Sequence, residues 1–209
     1  MTEETDPGLA MARDAEMLAA AEAGKSSIRL YRWTAVCVTL GRFQRPEDAL
    51  VDPSTTPWAH RPTGGAAVLH GHDVTLTVAL PYRKRSRSIR DLYRHAAAMP
   101  IALLRTWGLD ARLADDAAAT RSGAYCFGSK SACDIVDASG CKVCGCALRV
   151  TRAGALLQTS IPVGQPSVSP GMVILGGEPL PIKAVDAGEI DLQHLGASLG
   201  LSYAEETFA

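Results

Sequence analysis

The 209-residue chain has no apolar run near the roughly 18 residues of a membrane span. It opens Met1-Thr2-Glu3-Glu4-Thr5-Asp6, acidic where a secretory signal needs a basic start and an apolar stretch. The expectation is a cytoplasmic protein with no membrane partner, whose cysteines are thiols and not disulfides. Charge of one sign is also missing: a net charge of -1 gives no global attraction to nucleic acid or to an anionic surface. The one basic run, Arg83 to Arg90, holds five basic residues without an aromatic ladder. That argues against nucleic acid and leaves a solvated loop or a docking patch for an acidic protein. Disorder is excluded, because 47% hydrophobic residues against 21% charged is enough to bury a core. A single domain over 1–209 follows, irregular from about residue 162.

Leu9 to Ala23, rich in alanine, leucine and methionine, predicts a helix between Asp6-Pro7 and Gly24. Ile28 to Trp33 and Val36 to Leu40 predict two strands, economically a hairpin, ending at Gly41. Gly41-Arg42-Phe43-Gln44 is then a loop of either functional character or mere connection, with Phe43 in the core in the second case. Ser88 to Trp107 has helical spacing, kinked or broken at Pro100. Arg112 lies in a short strand, and Ala114 to Ser122 reads as a mobile connection. Ala132 to Val136, Cys141 to Val150 and Ala155 to Ile161 form an antiparallel meander, and a helix from about Ala187 to Leu199 closes the chain.

Chemistry concentrates in two places. His60 to Asp73 contains Arg61, Thr63, Gly64, Gly65 and His70, with small residues leaving backbone N–H groups reachable. This composition suits a ligand cradle, although a Gly-Gly hairpin is the commoner use of such a pair. Four of the six cysteines, Cys133, Cys141, Cys144 and Cys146, invite a zinc reading. No second Cys-x-x-Cys pair exists, however, and Cys144 and Cys146 share one face of a strand, so small buried hydrophobes are the better account and no metal is expected. Cys126 differs, standing in a loop with Lys130 and Lys142 as candidate neighbours. A thiol beside a cation becomes a nucleophile at neutral pH. The residues alone leave open whether Cys126 is one or is a core thiol beside Phe127.

Three segments together resemble the lipoate-protein ligase and octanoyltransferase family, which shares its catalytic fold with biotin-protein ligases. Gly41-Arg42-Phe43-Gln44 resembles its Gly-x-Phe-Gln strand end. Arg61-Pro62-Thr63-Gly64-Gly65-Ala66-Ala67-Val68-Leu69-His70 is similar to its Arg-x-[Thr/Ser]-Gly-Gly-x-x-Val-x-His signature, and Gly140 to Ala147 to its Gly-x-Lys-[Val/Ile]-x-Gly-Ser-Ala signature. The resemblance spans about residues 8 to 161 and implies an α+β fold of mixed, largely antiparallel β-sheets flanked by helices. Cys126-Phe127, eight residues before Asp134, resembles the Cys-Phe element of the cysteine-dependent octanoyltransferases. The ATP-dependent ligases carry Asn-Asp-[Ile/Val] where this chain has Cys133-Asp134-Ile135.

The implied activity is octanoyl or lipoyl transfer from acyl carrier protein to a lipoyl-domain lysine. Cys126 and Lys142 are then catalytic, and Arg61, Thr63, Gly64, Gly65, His70, Asp134 and Gly145 bind substrate. No cofactor is needed. The ligase alternative would use ATP and Mg, and a noncatalytic acyl- or zinc-binding protein is a further alternative. The chain departs from the pattern at Cys146 (usually Ser), Leu148 (usually Gln or Tyr) and Gln158-Thr159-Ser160, where the family has His-Gly-[Ser/Thr].

Overall fold

A computed structural model describes residues 3–82, 88–114, 124–131, 133–178 and 183–187. Along these residues the order is β1 (Glu3–Thr5), α1 (Pro7–Glu22), β2 (Ser27–Trp33), β3 (Cys37–Leu40), α2 (Pro46–Ala49), β4 (Trp58–His60), β5 (Val68–His70) and β6 (Asp73–Pro81). There follow α3 (Ile89–Thr106), β7 (Arg112–Leu113), β8 (Ile135–Val136), β9 (Lys142–Val150), β10 (Gly154–Pro162) and α4 (Pro170–Val173). The larger sheet has the order β1-β2-β6-β10-β9-β8-β7 and the smaller one β4-β3-β5. Only β1–β2 and β3–β4 pair in parallel, so the expected mixed, largely antiparallel α+β architecture is present.

The register of the large sheet separates two chemistries. Thr75 on β6 pairs with Tyr31 and Ser160, and Thr77 with Arg29 and Gln158. Because side chains alternate, these residues share one face, and Leu30, Leu76, Val78, Leu157 and Ile161 share the other. The apolar face packs under α3, where Ala96, Met99, Leu103 and Leu104 join its core. The face with polar groups lies under α1 and the small sheet. Being covered on both sides, β6 and β10 are buried almost throughout.

Local sequence explains both long helices. In α1, Asp6 accepts a hydrogen bond from the Leu9 N–H at 3.0 Å, Pro7 fits the first turn, and Ala10, Met11, Asp14, Met17, Leu18 and Ala21 form its buried stripe. In α3, Ser88 and Asp91 cap each other reciprocally. The expected break at Pro100 does not occur: α3 continues through it as one helix. Burial of the flanking Met99, Leu103 and Leu104 offsets the lost backbone bond.

Three expectations need correction. β2 and β3 are not a hairpin. β2 pairs with β1 and β6, whereas β3, buried at all four positions, pairs with β4 and β5 in the other sheet. The Thr34-Ala35 break therefore carries the chain from one sheet to the other, which local periodicity does not reveal. Phe43 is not in the core but 84% exposed, beneath the Arg42 guanidinium. Of the strand expected over Ala132 to Val136, Ala132 lies outside the described residues, and among residues 133–136 the strand is Ile135–Val136. Residues 83–87 of the basic run, 115–122 of the expected mobile connection and 188–199 of the expected last helix lie outside the described residues.

Candidate active site

The Gly-x-Phe-Gln loop and the glycine cradle are one construction. Gln44 Oε1 accepts from the Gly41 N–H at 2.9 Å, and Gln44 Nε2 donates to the Ala124 carbonyl at 3.3 Å. That carbonyl also accepts from the Ala67 N–H, and the Ala67 carbonyl accepts from the Cys126 N–H at 2.8 Å. The cradle thus runs beside the Cys126 segment and sets its height. Gly41 is required by close approach, because a β-carbon there would lie 1.9 Å from the Gly65 carbonyl oxygen. Gly41→Ala is expected to cost about 3 kcal/mol or more, since backbone must move, with chemical denaturation as the measure.

Arg61 organises the cradle from within and is only 5% exposed. Its Nη2 donates to the Gly64 and Ala66 carbonyls at 2.7 and 2.8 Å, Nη1 to the Thr39 carbonyl at 3.1 Å, and Nε to Thr63 Oγ1 at 3.2 Å. All these acceptors are neutral, so burial pulls the guanidinium below its ordinary pKa and a negative charge on Cys126 would pull it back up. Thr63 passes the network on by donating to Gln158 Oε1 at 2.7 Å. Gln158 Nε2 donates in turn to Asp14 Oδ2 at 2.6 Å, which also accepts from Tyr31 and Thr77. The Gln158 amide, having both a donor and an acceptor, closes this chain without changing charge.

Cys126 opens a short 3-10 turn, Cys126–Gly128, and is half-buried. Lys142 reaches it from the start of β9. Lys142 Nζ donates to the Cys126 carbonyl at 2.9 Å, the Ser129 carbonyl at 3.2 Å and Asp134 Oδ2 at 3.0 Å, and stands 3.7 Å from Cys126 Sγ. Burial alone would lower the lysine pKa, but negative charge at Cys126 and the Asp134 carboxylate outweigh it and hold Lys142 above its ordinary range. The balance favours the ammonium form of Lys142. Asp134 is held in turn by the Ser131 N–H at 2.7 Å and the Cys146 N–H at 3.3 Å. Gly145 lies beneath the sulfur, its absent β-carbon 3.4 Å from the Phe127 ring and 3.6 Å from Cys126 Sγ.

A narrow cavity of about 30 Å³ opens at Cys126, lined by Met11, Tyr31, Trp33, Val68, Gly145 and Ala147 among others. Its free space holds about one water, so an acyl chain must displace a side chain, and flexible Met11 is the one best able to move. Arg61 and His70 reach this wall, whereas Thr63, Gly64 and Gly65 stand behind it. Lys142 and Asp134 act from the far side of Cys126.

Sequence reasoning missed Thr39, Asp73 and Ser160. His70 Nδ1 is hydrogen-bonded to Asp73 Oδ2 at 2.8 Å and its Nε2 to Thr39 Oγ1 at 2.8 Å. Ser160 also donates to Asp73, and the imidazole stacks on Trp33. The signal was available in the His70-x-x-Asp73 spacing. Burial would raise Asp73, but His70 and Ser160 outweigh it and hold the carboxyl below its ordinary value of 3.8. Such a group contributes stability above its unfolded pKa and loses it as pH falls through the folded value. Asp73→Asn is accordingly expected to cost about 3 kcal/mol at pH 7 and progressively less as pH falls below 3.8, by urea denaturation across that range.

Cys144 and Cys146 share a face as expected, their sulfurs 3.9 Å apart, but Cys141 is exposed. Among the described residues no three His, Cys, Asp or Glu side chains converge as metal ligands. Asp134 is committed to Lys142 and two backbone donors. Among the described residues no helix is long and apolar enough to cross a membrane.

Comparison with known proteins gives the same picture. Residues 6–167 match the model of the lipoyl protein ligase A/B catalytic domain. The chain is 33% identical over 189 residues to octanoyltransferase LipM of an Exiguobacterium species, covering 78% of this chain and 64% of the relative. It is 32% identical over 144 residues to octanoyltransferase LipM of Kyrpidia tusciae, covering 63% and 52%. The chain thus spans about half to two thirds of the length of these curated relatives. Among solved structures, lipoate-protein ligase A bound with ATP superposes with a TM-score of 0.72 at 21% identity, covering 100% of this chain and 88% of that one. The bipartite lipoate protein ligase of Thermoplasma acidophilum, studied with its E2 lipoyl domain, superposes at 0.67 with 19% identity, covering 100% and 86%. At these identities the superpositions speak for the fold alone. With this match over more than half of its length, this chain belongs to the lipoyl protein ligase A/B catalytic domain family.

Proposed function

We propose that this protein transfers an octanoyl group from an acyl carrier protein thioester to a lipoyl-domain lysine through a thioester on Cys126. The observation that carries this reading is the Lys142 ammonium 3.7 Å from Cys126 Sγ at the mouth of an apolar cavity. An ammonium at that distance is placed to meet charge that develops at the sulfur or on the attacked carbonyl. In the first step Cys126 Sγ attacks the thioester carbonyl carbon, a new C–S bond forms, and the carrier's sulfur leaves with the electron pair and takes up a proton. In the second the acceptor amine attacks the same carbon, a C–N bond forms, and Cys126 leaves as thiolate while the amine's proton passes to solvent. In both, Lys142 offers its positive charge to the sulfur or the developing oxyanion. The octanoyltransferase relatives support the substrate class, and the bound network behind Arg61 keeps the cradle rigid.

The ligase alternative rests on the fold of the ATP-bound neighbour. Against it stand Cys133 where ligases carry asparagine and an Asp134 already occupied by Lys142. A cytoplasmic setting accords with both readings. The test is incubation with octanoyl carrier protein and an isolated lipoyl domain without ATP. An octanoylated lysine supports the transferase, whereas modification that appears only with ATP and free octanoate or lipoate supports the ligase.

A further inference from the structure

A second concavity lies beside the acyl cavity and is larger, about 430 Å³. It runs between α1 and β4 and is lined by Met11, Ala12, Arg42, His60, Arg61 and Arg149, among others. Met11 and Arg61 belong to both walls, so the two spaces are separated by little more than the Met11 side chain. Among the described residues no acidic side chain lines this groove. In a chain of net charge -1, three arginines lining one groove are a local arrangement and not a consequence of composition.

The donors are incompletely used. Arg42 is exposed and only overhangs the Phe43 ring at 5.4 Å. Arg149 lines the groove and gives one bond, from Nη1 to the Pro62 carbonyl at 3.3 Å, so other donors of its planar fork are left for a ligand. Arg61 spends its own donors on the cradle but contributes its charge. Forked guanidinium groups in a concave site match a phosphate better than a flat protein surface. The position also matches the reaction. Arg149 is four residues along β9 from Gly145, which lies under Cys126 Sγ, and at strand rise this is about 13 Å. A pantetheine arm, about as long as four extended residues, places its phosphate roughly 14 Å from its sulfur.

We infer that this groove is a subsite for the phosphate of the donor's phosphopantetheine arm, held by Arg42 and Arg149 while the thioester meets Cys126. The inference rests on the thioester-donor reading given above. It assigns the groove to the prosthetic arm, which every carrier-bound donor shares, and leaves recognition of the carrier surface to other residues.

The test is the rate of Cys126 acylation, followed by mass, with two small donors, octanoyl-4′-phosphopantetheine and octanoyl-pantetheine. In the unmodified protein the phosphorylated donor is expected to react about tenfold faster at low concentration, the factor one charge-assisted hydrogen bond supplies. In Arg42→Ala and Arg149→Ala that ratio falls towards one, and Arg149→Lys retains part of it. Because the ratio is taken within one preparation, it does not depend on the folded fraction. High salt should shrink the ratio as well. Equal rates in the unmodified protein, with acylation proceeding, overturn the phosphate subsite and leave the transferase reading intact. Equal rates combined with slower transfer to the lipoyl domain in the arginine variants reassign the groove to the acceptor and overturn the inference. No acylation by either donor overturns the thioester reading, and the subsite with it.

Discussion

Cys126→Ser is expected to lower octanoyl transfer by about 10⁴-fold or more, with little change in thermal stability. Cys126 is half-buried and its sulfur accepts no hydrogen bond on which the fold depends, so an oxygen of smaller size fits the same place. What is lost is the reaction route. A serine hydroxyl beside an ammonium, without a base to take its proton, is a poor nucleophile at neutral pH, whereas a thiol needs only partial ionisation. Rate assays and a melting curve on the same preparation separate the two effects. A variant that keeps a tenth of the activity would mean that the sulfur is not the attacking atom.

Lys142→Ala should lower transfer by about 10³-fold, because it removes the positive charge from both the sulfur and the developing oxyanion. It also leaves the buried Asp134 carboxylate without its cation, so some loss of stability accompanies the loss of rate. Asp134→Asn is the more discriminating variant. Lys142 is held above its ordinary pKa because the charges of Cys126 and Asp134 outweigh burial. With Asp134 neutral, burial meets less opposition and the lysine pKa falls. Since the active form carries the lysine proton, the alkaline limb of the pH–rate profile should move to lower pH, and activity should be lost at pH values where the unmodified protein still works. An alkaline limb that stays in place would separate Asp134 from the charge of Lys142.

How far the sequence disclosed this depended on the range of the interactions involved. Helix α1 and the capping box at Ser88 and Asp91 are local, and their signals were legible. The β9–β10 meander followed from its turns. The separation of β2 and β3 into different sheets did not, because whether two adjacent strands pair is decided by what else each can pair with, here β6 and β5. Phe43 was misplaced in one reading for a related reason: an aromatic in a short loop carries no periodicity to say which side it faces.

In the site, Cys126, Lys142, Asp134 and Gly145 do come together, but the sequence said nothing of how. Lys142 meets Cys126 across 16 residues, and Gln44 staples the cradle to Ala124 across 80. Nor did the sequence show that Gln158, an apparent departure from the family pattern, sits between Thr63 and Asp14 as the middle of a hydrogen-bonded chain. Such roles depend on long-range register, which for Gln158 is its pairing with Thr77 on one side and Ala147 on the other.

The central claim is that Cys126 carries the acyl group. Intact-protein mass spectrometry after incubation with octanoyl carrier protein, without ATP and without acceptor, tests it most directly. The account predicts one added octanoyl group per chain, mapped by peptide analysis to Cys126, labile to hydroxylamine and absent from Cys126→Ser. An unmodified chain that nevertheless transfers octanoate to the lipoyl domain, or an adduct that persists in Cys126→Ser, would contradict it.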